Sequence, residues 1–83
     1  MTITGRHVGA ARVLLGLSPS DLAALAGVHP KTVLRFEGGK HEPIPATLKA
    51  IVEALEHRGI EFMNGGEPGV RLRPSKAKKP GTY

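Results

Sequence analysis

Apolar residues keep a helical period along this chain as far as Gly59 and then switch to strict alternation. Four helical stripes come first. Val8, Ala11, Leu14 and Leu15 mark one face of a first helix, and Leu22, Leu25 and Ala26 mark a second. Val33 and Phe36 form the inward face of a third. Leu48, Ile51, Val52 and Leu55 give a full i, i+3, i+4, i+7 set in a fourth, the clearest periodicity in the chain. Capping chemistry places the ends. Thr4 caps the first helix, which is predicted to run to about Leu15 and stop at Gly16. Ser18 caps the second, with Pro19 at its first position, Asp21 at its positive end and Gly27 at its exit. His29 and Pro30 repeat that start for a third helix ending near Gly38. The fourth runs from about Pro45 to Arg58, where His57 and Arg58 suit the negative end and Gly59 the exit. Val28, apolar inside the turn between the second and third helices, is expected to plug into the core.

After Gly59 the segments Ile60-Glu61-Phe62-Met63 and Val70-Arg71-Leu72-Arg73 alternate in steps of two around Asn64–Gly69, the pattern of a β-hairpin. A lone hairpin is marginal in water, so Ile60, Phe62, Val70 and Leu72 must cover their own helices, a second copy of the chain, or both. An unpaired strand edge also invites a copy of itself. A homodimer is therefore expected, built by Leu55, Ile60, Phe62, Val70 and Leu72. Pro74–Tyr83 is rich in Lys, Pro and Gly, lacks an apolar pattern, and is expected to be a disordered tail. The predicted fold is mainly α: four helices and a C-terminal hairpin (60–73) in one domain, residues 1–73, followed by the basic tail, residues 74–83.

Charge and composition narrow the chemistry. Eighty-three residues bury a thin core, which a partner subunit would reinforce. The net charge is +5. Residues 1–45 carry five Lys or Arg against three acids, residues 46–73 four against four, and the tail Lys76, Lys78 and Lys79 against none. The excess suits a polyanion. No cysteine is present, so disulfides and thiolate chemistry are excluded, in keeping with a reducing cytoplasm. His7, His29, His41 and His57 lack metal-ligand spacing, and no nucleophile motif occurs; no metal, cofactor or enzymatic activity is expected. No apolar run reaches membrane-spanning length.

The stretch Leu17–Gly39 reads L-S-x-x-x-L-A-x-x-A-G-V-x-x-x-T-V-x-R-x-E-x-G, and in this it resembles the phage-repressor and Cro-like, XRE-type family of helix-turn-helix DNA-binding domains. The likeness extends more loosely from about Thr4 to Leu55. Ala23, Gly27, Val28, Thr32 and Glu37 sit in family register, and a small residue at Ala23 lets two helices approach closely. The resemblance implies a repressor-like fold that binds double-stranded DNA with the helix from Pro30 to Gly38 in the major groove. It implies that Lys31, Thr32, Leu34 and Arg35 face base edges, with the two cations four residues apart on one helix face. Arg6, Ser20, His29 and Lys40 become candidates for phosphate contacts. It also implies an ion pair between Arg12 and Glu37. One departure is Pro19, where the family usually has a glutamine whose amide clamps a phosphate; proline has no such group.

The leading expectation is thus a dimeric, sequence-specific transcriptional regulator on a two-fold operator. The alternative is a protein-binding antiactivator or antitoxin-type module that masks a partner protein with the same fold. A basic outward face on the third helix favours DNA.

Overall fold

The computed structural model describes residues 3–40, 43–63 and 69–73. It contains helices α1 (Gly5–Leu14), α2 (Pro19–Ala26), α3 (Pro30–Glu37) and α4 (Pro45–Glu56), then strands β1 (Ile60–Met63) and β2 (Gly69–Leu72). The mainly α architecture with a terminal hairpin is the one the sequence predicts. The tail 74–83 and the hairpin loop 64–68 lie outside the described residues.

The helix starts follow from local chemistry. Proline occupies the first position of α2, α3 and α4, where its missing N–H costs nothing. Ser18 and Asp21 form a reciprocal capping box: Asp21 N–H donates to Ser18 Oγ and Ser18 N–H to Asp21 Oδ2, each at 3.0 Å. Those bonds hold the Asp21 carboxyl below its usual range. Thr4 builds a second box, with His7 in the place usually taken by an acid. Thr4 N–H donates to His7 Nδ1 at 3.0 Å, and Thr4 Oγ1 receives His7 N–H. Ile44 precedes α4 with no side-chain cap. Two helices end earlier than predicted: Leu15 is the C-cap of α1 and His57 that of α4, which leaves Arg58 beyond the helix.

The core gathers Val8, Ala11 and Leu15 of the α1 segment, Leu22 and Ala23 of α2, Val33 and Phe36 of α3, Ile51 and Leu55 of α4, and Ile60 of β1. Leu48 and Val28 pack against it, half-buried. Two residues of the predicted stripes fall outside: Leu14 is 47% exposed and Leu25 40%. In α2 the buried residues are Leu22 and Ala23, on a helix packed against both α3 and α4. The axes of α1 and α2 turn by 102° at Gly16. Among the described residues no single helix is long and apolar enough to cross a membrane.

The hairpin is antiparallel, with Ile60 opposite Leu72 and Phe62 opposite Val70 on its apolar face. That face covers the chain's own helices, β2 lying on α1 and β1 on α4. On the other face Glu61 stands opposite Arg71, whose Nε donates to its carboxylate at 2.7 Å, and Arg73 reaches the same carboxylate at 3.4 Å. Arg73 N–H donates to Gly59 O at 2.7 Å and so ties the end of β2 back to the exit of α4. Only glycine serves at 59. Its φ is +98°, and a Cβ would stand 2.6 Å from Arg73 O.

Candidate nucleic-acid interface

A helix that reads DNA must hold its backbone still while keeping one face free. Val33 and Phe36 anchor α3 in the core, and the residues between them point away. Lys31, Leu34 and Arg35 are exposed and Thr32 is half-buried. All four base-facing candidates therefore lie on α3 as the sequence places them, with Thr32 nearest the helix interface.

His29 stands immediately before this helix. Its Nδ1 accepts the Lys31 backbone N–H at 3.0 Å, capping α3. An accepting Nδ1 leaves the proton on Nε2, a donor suited to a phosphate oxygen. Ser20 is exposed in the first turn of α2. At the opposite end of α3 its C-terminus meets the N-terminus of α1. There Thr4, Gly5, Arg6, Gly38 and Gly39 line an open notch of about 390 Å³. The Lys40 stem borders it: Cγ lies 3.9 Å from where a Gly38 Cβ would stand. Arg6 and Lys40, both exposed, thus converge at one end of the helix while His29 caps its start; Ser20 stands at the far end of α2 from that cap.

The orientation of α3 is fixed by the predicted ion pair. Arg12 Nε donates to Glu37 Oε2 at 2.8 Å and Nη2 to Oε1 at 2.9 Å, a two-pronged contact between α1 and the last residue of α3. Arg12 Nη1 also donates to Leu17 O at 2.8 Å, holding the α1–α2 turn in the same grip. The Glu37 bonds raise the Arg12 guanidinium above its ordinary value despite partial burial.

Three features of this site escape sequence reading. His7 closes the Thr4 box; a Thr-x-x-His spacing carries the signal, but with a ring nitrogen in place of a carboxylate. Gly5 permits contact with α3: a Cβ there would fall 1.8 Å from Phe36 O. Gly38 and Gly39 shape the notch beside Arg6. Among the described residues, no group of three His, Cys, Asp or Glu side chains comes together as a metal site.

The hairpin residues expected at a dimer surface divide. Leu55 and Ile60 are 0% and 4% exposed within a single chain, so the core of one subunit uses them up. Phe62, Val70 and Leu72 are half-buried, with Phe62 edge-on to the His7 ring, centroids 6.5 Å apart.

No characterised protein sequence matches the chain. A helix-turn-helix family model matches residues 8–61, from the second turn of α1 into β1. By that match, over more than half of its length, the chain belongs to the XRE-type helix-turn-helix family of DNA-binding regulators.

Proposed function

We propose that the chain is a sequence-specific transcriptional regulator of the cytoplasm, without cofactor or enzymatic activity, that binds a two-fold operator as a homodimer. The observation that supports this most is the face of α3: Lys31, Leu34 and Arg35 stand exposed on a helix locked by Val33, Phe36 and the Arg12–Glu37 clamp. In the major groove Arg35 would bridge guanine O6 and N7, Lys31 would take a neighbouring acceptor, Leu34 a thymine methyl, and Thr32 a base edge or phosphate. Arg6, His29 and Lys40 would hold phosphates at the two ends of the helix, and Ser20 one at the start of α2, setting register without reading sequence. Lys76, Lys78 and Lys79 of the tail would add non-specific attraction.

The test is to separate reading from holding. Arg35→Ala should cost about 1–3 kcal/mol on the operator and little on random DNA, relaxing preference at one base pair per half-site. Lys31→Ala should act likewise at an adjacent base pair, more weakly because an ammonium lacks the planar fork. Lys40→Ala should weaken all DNA alike and lower the log–log salt slope by about 1. Both helix variants binding operator and random DNA as the wild type does would overturn base reading by α3. Masking of a protein partner would then be the better account.

Dimerisation is the second element. With Leu55 and Ile60 committed to the core, Phe62, Val70 and Leu72 remain, and Met63 is exposed beside them. Sedimentation at micromolar concentration should show a dimer, and Phe62→Asp, which sets an unpaired charge in that seam, should give a folded monomer. A wild type that sediments as a monomer at every concentration rules the dimer out. Half-site centres on the operator should lie about 34 Å apart, one helical turn, or a multiple of it.

A further inference from the structure

The fold encloses two arginines, one partly and one almost fully, to different ends. Arg12 is fully employed, its guanidinium shared between Glu37 and Leu17 O. Arg58 is more deeply buried, at 8% exposure, and is the only charged residue in the buried class among the described residues. Yet among those residues its guanidinium has neither a hydrogen bond nor an ion pair. With most of the residue enclosed and no partner for its nitrogens, the guanidinium stays charged through the solvent those nitrogens still meet. The negative end of α4 lies close by, but it supplies a partial charge and no acceptor within bonding reach. No side-chain nitrogen in the described residues is both sealed from solvent and unpaired, so the Arg58 nitrogens keep an opening. The residue lines an open groove of about 380 Å³ between α2 and α4, where Leu25 and Ala26 face Ala50, Ala54 and His57.

We propose that this groove is a docking site for a segment of a partner protein that carries an Asp or Glu, its carboxylate received by Arg58. A planar guanidinium matches a carboxylate in two-pronged fashion, and with the rest of the residue held in the packing its nitrogens are presented with little freedom to lose. The walls select what flanks the acid. The alanines leave a shallow floor, and Leu25, 40% exposed, offers an apolar rim for a neighbouring aliphatic side chain. Duplex DNA is a poorer occupant because no groove residue belongs to α3; Glu53 also lines the groove, so the segment it admits carries a single acid placed at Arg58 and not an acidic run. The net charge of +5 favours the approach of acidic partners in general. Such a segment would engage the regulator on residues separate from those proposed to hold DNA.

The experiment selects a random peptide library against the full chain, with Arg58→Met as the counter-selection. Enriched peptides should carry Asp or Glu beside an aliphatic residue. Changing that acid to its amide, or Arg58 to Met, should each weaken binding by about thirtyfold or more, and combining the two should add little. Arg58→Lys should recover part of the affinity, and Leu25→Asp should weaken it. The Tm of Arg58→Met should equal or exceed that of the wild type, since the substitution removes no hydrogen bond or ion pair among the described residues and keeps an apolar stem of similar length. Peptides without acids, or peptides that bind Arg58→Met equally well, overturn the proposal. So does a fall in Tm, which would make Arg58 structural. Glutarate displacing the peptides at equal concentration would reassign the groove to a small carboxylate, and a loss of self-association in Arg58→Met would reassign it to a second copy; either result overturns a partner-protein site.

Discussion

Arg12→Met should lower stability by about 2–4 kcal/mol. Exposed ion pairs contribute about 0–1 kcal/mol, and breaking a buried one costs about 3–5. The Arg12 and Glu37 side chains, 18% and 14% exposed, sit nearer the buried limit. The substitution strands the Glu37 carboxylate against α1 and also removes the donor to Leu17 O. For a domain of this size each kcal/mol corresponds to about 4–8 °C in Tm. Adding Glu37→Leu should restore at least half of the loss, because the stranded charge then disappears. The raised Arg12 pKa means that this contribution is present below the unfolded value and is lost only as pH climbs through the folded one, in strong base, so the clamp does not weaken at ordinary pH. Denaturant titration of the cycle decides the matter. A single mutant within about 0.5 kcal/mol of the wild type would show that the clamp carries no stability.

Gly5→Ala should be at least as damaging, although it adds only one methyl, in the buried first turn of α1. The added Cβ would meet Phe36 O at 1.8 Å, Phe36 C at 2.6 Å and Glu37 Cα at 2.9 Å, all backbone atoms of α3. No side-chain rotation relieves such a contact, so α1 must lift away from α3, and a cost of about 3 kcal/mol or more follows. The control is Gly16→Ala. Gly16 also has a constrained backbone, with φ +70°, but its Cβ would meet open space, so it should lose only about 1 kcal/mol. Thermal melts that rank the two variants equally would contradict the close approach of α1 to α3. A melted or displaced α1 should also take Arg6 from the notch and weaken DNA binding.

What the sequence discloses here is short-range. Ser18-Pro19, His29-Pro30 and Pro45 announce helix starts because caps and first-turn prolines act over three or four residues. Ile60–Met63 and Val70–Leu72 announce strands because alternation is local as well. The Arg12–Glu37 pair spans 25 residues and was legible only through family likeness. The edges of the stripes were not legible. Leu14 and Leu25 fall in phase with their neighbours, but how far a face extends depends on which helix crosses it, and in α2 it is Ala23 that is buried. The burial of Arg58 is hidden for the same reason: as a residue it reads as a helix-end cation, and only the packing of α2 on α4 encloses it. Gly5 gives no local signal, since its neighbour lies thirty-one positions along the chain.

The contact of β2 with α1 joins the last described element to the first. Everything between closes as a loop of more than fifty residues, whose entropic cost rises only slowly with length but is repaid only when both ends are present. Sequence-distant contact of this kind slows folding relative to a bundle of neighbouring helices. On the ribosome the four helices can pair as they emerge, while the outer side of α1 is covered only once β2 has been made. A nascent chain halted after α4 would carry every residue proposed to read bases but lack the strand that packs on α1, so its first helix should be the least protected part of the fold.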